Sequence, residues 1–185
     1  MSLAAFLRQH EPVAEAWPVW GNGQLRLRQH TYLSRQLPPN EVLSSVRAIL
    51  FRAAKVMVIT DHEEEPYVVP GGRREPGESL ETALRRELLE ETGWHVGQTA
   101  VLGFIHFHHL SPKPDGYPYP YPDFVQVVYT AVAASYDPAS MQPDFYVTAA
   151  QFHPIEEALA LPLSPGERAL LRAAITYHSG KSQAV

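Results

Sequence analysis

Cysteine is absent from all 185 residues, which excludes a disulfide framework, a thiolate metal site and a cysteine nucleophile. Lysine is scarce, with only Lys55, Lys113 and Lys181, so positive charge rests mainly on arginine. Fifteen basic residues stand against twenty acidic ones, a formal net charge of −5. That balance argues against a protein that grips nucleic acid through its phosphates. An acidic protein acting on phosphate esters needs a divalent cation to reconcile it with its substrate. No run of about 18 apolar residues occurs, so nothing is expected to span a membrane. The N-terminal stretch MSLAAFLRQHEP has no basic segment followed by an apolar block, so no secretory signal is expected there. A cytoplasmic setting is the simplest expectation.

What is present is a globular composition, 45% hydrophobic and 19% charged, with length for one domain and a real core. No internal repeat is visible. Residues 1–41 read as an N-terminal extension, and 42–185 as the main domain. In the extension, WPVWGNGQLRLRQHTYL places Asn22-Gly23 between two strand-like runs, a hairpin signal because both residues tolerate positive φ. LPPNE marks a break. VRAILFRAAKVMVIT then reads as two strands turning near Ala54-Lys55, followed by a brief YVV strand. TAVLGFIHFHHL and FVQVVYTAVAAS are further strands separated by SPKPDGYPYPYPD, with a short strand near Phe145 to Thr148 and a short helix from about Pro154. The last helix carries Ser164 as cap, Pro165 at its first position and Glu167 completing a capping box, with Gly180 as its stop. This order predicts an α+β fold, a mixed β-sheet sandwiched between helices in α/β/α layers.

The most informative stretch is PGGRREPGESLETALRRELLEETGW, residues 70–94. Ser79 reads as an N-cap and Gly93 as the left-handed C-terminal stop. Leu80, Ala83, Leu84 and Leu88 form the apolar face at helical spacing, and the same line continues through Glu87 and Glu91, with Glu90 at its edge. Acids so placed repel one another, are costly to bury and sit at the wrong end of the helix dipole. A hard divalent cation resolves all three. The plainer reading is a solvated acidic patch with Arg85 and Arg86 as partners. The preceding Gly71-Gly72 and Gly77 permit close backbone approach to a phosphate or metal, and Glu75 and Glu78 add oxygens beside them.

This stretch resembles the Nudix box, G-x5-E-x7-R-E-U-x-E-E-x-G-U with U apolar. Gly72, Glu78, Arg86, Glu87, Leu88, Glu90, Glu91, Gly93 and Trp94 fill every fixed position. The resemblance extends through the strand order to about residues 42–178 and implies the Nudix fold. It also implies metal-dependent hydrolysis of a diphosphate linkage in a nucleoside diphosphate joined to another moiety X. Glu87, Glu90 and Glu91, helped by the Gly71 backbone carbonyl, are then expected to bind Mg2+ or Mn2+. Arg86 is expected to orient a box glutamate through a salt bridge, and Glu78 to support the loop or the metal. The general base is left open between Glu90 or Glu91, acting on metal-bound water, and the loop acids Asp144 and Asp123. The alternative is a catalytically weak domain of the same fold that binds or senses a nucleotide. Arg73, Arg74, Tyr119 and Tyr121 are candidate substrate contacts, and a homodimer is expected only by analogy with relatives.

Two features outside the box carry weaker readings. His106 and His108 would share one strand face, with His109 beside them, which admits zinc but fits a cleft or solvent face equally. Tyr117, Tyr119 and Tyr121 alternate with prolines, giving either a stiff extended loop or a platform for stacking a base. Trp17 and Trp20 of the extension are expected to cover the core or meet another subunit.

Overall fold

The computed structural model describes residues 1–21, 23–142 and 147–182. A one-and-a-half-turn helix, α1 (Leu3–Leu7), is capped by Ser2 and buries Phe6. Three strands follow: β1 (Ala14–Ala16), β2 (Val19–Trp20) and β3 (Leu25–Tyr32). β2 and β3 form the expected hairpin, with Trp20 opposite Leu25; Asn22 of its turn lies outside the described residues. The pair β4 (Leu43–Arg52) and β5 (Lys55–Asp61) turns at Ala53, whose φ is 52°. β6 (Pro66–Tyr67), α2 (Leu80–Thr92), β7 (Trp94–His109), β8 (Asp123–Tyr136) and β9 (Val147–Pro154) come next, then α3 (Ile155–Ala160) and α4 (Pro165–Ser182). Of the strand expected near Phe145 to Thr148, the part before Val147 lies outside the described residues, as does Asp144.

The sheet order is β1-β3-β7-β8-β4-β5-β6, with β2 also on β3 and β9 on β5. It is mixed because β4 runs parallel to β8 over Leu43–Phe51 against Val125–Val132, while the other pairings are antiparallel. β4 is continuously apolar and buried from Ala48 to Phe51 because both of its faces are covered there. Val46, Ala48 and Leu50 join the core beneath α1 and α2, whereas Ile49 and Phe51 join the core beneath α3 and α4. The layers are therefore α/β/α. Leu84 and Leu88 of α2 are fully buried, each contributing about 1.5–3 kcal/mol of apolar burial.

The extension does not stand apart. β3 pairs with β7 from Leu27↔His109 to Tyr32↔Phe104, and Phe6, Leu27 and Tyr32 are core residues. Trp20 lies 5.0 Å from Phe107 and covers the core, whereas Trp17 is 62% exposed. The α4 cap forms as its sequence predicts: the Glu167 N–H donates to Ser164 Oγ at 3.2 Å, and the Ser164 N–H donates back to Glu167 Oε2 at 3.3 Å. The expected stop at Gly180 does not occur, since the helix continues to Ser182. Glycine weakens a helix by only about 1 kcal/mol relative to alanine, so one glycine does not end it.

Candidate active site

Cap and period together position the acids of α2. The Thr82 N–H donates to Ser79 Oγ at 3.1 Å, and Gly93, at φ 72°, donates its N–H to the Leu89 carbonyl at 2.8 Å. Ala83, Leu84, Leu88 and Thr92 face the core. Glu87 and Glu91 continue that line, and with Glu90 they are half-buried at its margin. Glu81, on the outer face, pairs with Arg85 at 2.8 Å and takes no part.

Arg86 is the hub. Its guanidinium donates to both Glu78 oxygens at 3.1 and 2.9 Å, to Glu87 at 2.8 Å, to Glu90 at 3.1 Å and to the Arg73 carbonyl at 2.9 Å. One side chain thereby ties the helix to the loop before it. These bonds to Glu78, opposed by partial burial, raise the Arg86 pKa further above its already high ordinary value. The same bonds hold the Glu78 carboxyl below the usual range. Glu87 goes the other way: burial raises it, against the pull of Arg86, and the charge of Glu90 adds to the rise.

The glycine pair is explained by crowding on both sides. Gly71 has φ +130°, and a Cβ there would strike the Val46 carbonyl of β4; a Cβ on Gly72 would strike the Glu87 carboxylate. Pro70 and Gly72 turn their carbonyls to Ala48 and Val46 of β4, each accepting at 2.9 Å. The Gly71 N–H points away from β4 and donates to Glu91 Oε2 at 2.7 Å. The loop thus lies pressed between β4 and the acidic helix face: only glycine fits at position 71, and a side chain at 72 would push the Glu87 carboxylate aside.

These residues fit a divalent cation by charge and by donor type. Glu78, Glu87 and Glu90 carry three negative charges against the single positive charge of the shared guanidinium. All the side-chain donors are carboxylate oxygens, the preference of magnesium and manganese over softer metals. Among the described residues no three acidic or histidine side chains already converge as ligands. Glu87 and Glu90 turn to Arg86, and Glu91 to the Gly71 N–H.

Of the expected substrate contacts, Arg73, Arg74 and Tyr119 lie together at the loop before α2. The Arg73 guanidinium stacks on the Tyr119 ring, 3.7 Å from its centroid, and hydrogen-bonds the phenol. Arg74 donates to Asn40 Oδ1 at 2.9 Å. Tyr119 meets Tyr117 edge-on at 5.2 Å, so the Pro-Tyr segment is an ordered loop packed on the box loop. Tyr121 instead donates to the Ser111 carbonyl at 3.1 Å and lies beside His109, which separates it from the Arg73–Tyr119 pair. Asn40, Glu41 and Ser44 also border this region. Nothing in the local sequence marks Asn40 or Glu41, since LPPNE carries only a break signal.

Asp123 is already engaged. His106 Nε2 and His108 Nδ1 lie 2.8 and 2.9 Å from the same Asp123 oxygen. Burial works to raise this carboxyl, but the bonds from His108 and His106 outweigh it and hold it below its ordinary value. Burial keeps His106 neutral to lower pH than usual. His109 faces the opposite side, between Tyr117, Tyr121 and Phe124, so the three histidines do not form one group.

A family model described as the NUDIX domain matches residues 42–174. A Bacillus subtilis (strain 168) protein provisionally named an 8-oxo-dGTP diphosphatase is 36% identical over 55 residues, 30% of this chain and 37% of its own length. The chain thus spans about a third of the length of the curated relatives it matches. Among solved structures, a NUDIX hydrolase from Nitrosomonas europaea superposes with a TM-score of 0.56 at 23% identity, covering 77% of this chain and 91% of its own. The NUDIX domain of Shewanella oneidensis NrtR, complexed with ADP ribose, gives 0.55 at 21% identity, covering 75% and 89%. These structural likenesses establish the shared fold.

Proposed function

The chain belongs to the NUDIX family, and on that premise we propose that it hydrolyses the diphosphate linkage of a nucleoside diphosphate joined to a second group. The observation that carries this reading is the acid set around Arg86, with Glu87 and Glu90 on the half-buried margin of α2 and Glu78 on the loop before it, and Glu91 beside them on the Gly71 N–H. A fold kept only for binding has no need of three carboxylates sharing one guanidinium. Glu87, Glu90, Glu91 and the Gly71 carbonyl would hold Mg2+ or Mn2+. When bound, the cation neutralises the diphosphate and lowers the pKa of bound water.

The chain's own groups do the positioning. Arg86 fixes the carboxylates and, through the Arg73 carbonyl, the loop that bears Arg73 and Arg74. Those two arginines supply positive charge for the phosphates, and Tyr119 a flat face for the nucleoside. Water adds to one phosphorus, the bond from that phosphorus to the bridging oxygen breaks, and the water proton passes to a carboxylate oxygen of Glu90 or Glu91. The second phosphate leaves on the bridging oxygen. Asp123, already bonded to two histidines, is poorly placed to act as that base. The relatives' names make an oxidised guanine nucleotide one candidate substrate, beside ADP-ribose, nucleotide sugars and dinucleoside polyphosphates.

The test is phosphate release from a panel of such compounds with Mg2+ and with EDTA. Cleavage of at least one compound with Mg2+, abolished by EDTA, is expected. Binding without turnover across the panel would instead assign the chain to the nucleotide-binding class.

A further inference from the structure

A cavity of about 370 Å³ lies between the Asn40–Ser44 segment and the Pro-Tyr loop, toward the lower end of the roughly 300–1,000 Å³ usual for small-molecule sites. Its walls divide by chemistry. Tyr119 with Pro118 and Pro120 supplies flat apolar surface on one side, and the Tyr119 ring is held in place by Arg73 and Tyr117. The facing segment brings polar Asn40, Glu41 and Ser44 to the cavity beside Leu43. Asn40 Oδ1 is occupied by Arg74 at 2.9 Å, which leaves the Asn40 amide hydrogens to donate. Glu41 follows on the same 3-10 turn, Asn40–Val42, and its carboxylate offers acceptors only.

A planar ligand that stacks on Tyr119 therefore meets a carboxylate beside an amide donor. Guanine presents the complement on its pairing edge: two adjacent N–H donors, at N1 and N2, next to the O6 acceptor. Adenine has one amino donor and an acceptor at N1, so it leaves one carboxylate oxygen without a partner. The cavity is also correctly placed relative to the acids. Arg74 lines it, and Gly72 lies against Glu87. Arg74 and Gly72 lie two positions apart, at most about 7 Å of chain, a gap that a ribose and its first phosphate can bridge.

We infer that this cavity is the nucleobase subsite and that Glu41, assisted by Asn40, makes it selective for guanine-type bases. The inference rests on the diphosphate-hydrolase reading but is tested without turnover. Binding of GMP and AMP is measured by calorimetry for the wild type, Glu41→Gln, Glu41→Ala, Glu75→Gln and Tyr119→Ala, with thermal melts confirming folding. The wild type should bind GMP about 10- to 100-fold more tightly than AMP, the range a bidentate base contact supplies. Both Glu41 variants should bring that ratio to within about threefold of unity, one poor contact's worth on the same scale. Glu75→Gln, at the other carboxylate bordering the cavity, should leave the ratio in place, and Tyr119→Ala should weaken both ligands together. Equal binding of GMP and AMP by the wild type would overturn the inference, as would binding of neither at millimolar concentration. A ratio unchanged in the Glu41 variants, or lost in Glu75→Gln, would overturn it too. Failure of hydrolysis across the panel with selective GMP binding intact would sink the catalytic reading and leave the subsite standing.

Discussion

Replacing Arg86 with methionine keeps the aliphatic stem and removes the charge at the centre of the site. Five hydrogen bonds go with it, four of them to the carboxylates of Glu78, Glu87 and Glu90. Breaking a fully buried ion pair by deleting one partner costs about 3–5 kcal/mol, but here the Arg86 side chain is 25% exposed and Glu90 28%. Water can therefore reach the freed carboxylates, and solvent screening lowers the figure to roughly 2–3 kcal/mol at pH 7. For a domain of this size that corresponds to a melting temperature about 4–12 °C lower. The pH dependence has a definite sign. Glu78 is held below its ordinary value of 4.5, so its stabilising share is present above that pH and is lost as pH falls through the folded value. Glu87 is raised above 4.5 by burial, and without Arg86 it rises further, a penalty that vanishes once it is protonated. The Glu87 effect makes the gap between wild type and variant shrink from pH 7 toward pH 4, and the loss of Glu78's share adds to the shrinkage only below 4.5. Thermal melts across that range are the assay. A gap under about 2 °C at pH 7, well below the estimate, or one that widens on acidification, would refute the hub role of Arg86.

Gly72→Ala forces a Cβ into the Glu87 carboxylate, so turnover should fall at least about tenfold, since misplacement by about 1 Å at a catalytic centre costs up to a hundredfold; steady-state kinetics would show it. Ser164→Ala removes the cap of α4 and should cost about 1 kcal/mol in denaturant melts, with kcat unchanged. Asp123→Asn removes the charge that two histidines hold below its ordinary value of 3.8. Its destabilisation should therefore be full at neutral pH and fade as acid protonates the wild-type carboxyl, which pH-dependent melts can follow.

Much of this site can be read locally because its rules are local. Ser79 and Gly93 announce the ends of α2, and helical spacing alone carries Glu87 and Glu91 onto the line of Leu84 and Leu88. The Ser164–Glu167 box is equally legible, and so is the hairpin that brings Trp20 opposite Leu25. What the local pattern could not carry was pairing between distant segments. Nothing in residues 25–32 states that β3 will join β7, nor in residues 43–51 that β4 will run parallel to β8. The start of β7 at Trp94, five residues before the apolar run at Thr99, depends on register shifts against β8. Gly72 reads locally as room for a phosphate or metal to approach the backbone, whereas the group that a side chain there would meet is the carboxylate of Glu87, fifteen positions later. Asn40 and Glu41 acquire meaning only once Arg74 and Tyr119 stand opposite them.

The most direct test of the catalytic centre is Glu91→Gln, compared with wild type at saturating Mg2+ on whichever panel compound is cleaved. The glutamine oxygen can still accept the Gly71 N–H now held at 2.7 Å, so the fold should melt within a few degrees of wild type. With one negative charge lost from the proposed cation site, kcat should drop by about a hundredfold or more, the scale on which single electrostatic groups at reacting centres act. Turnover at the wild-type rate in that well-folded variant would contradict the assignment of the box carboxylates as the centre of the chemistry.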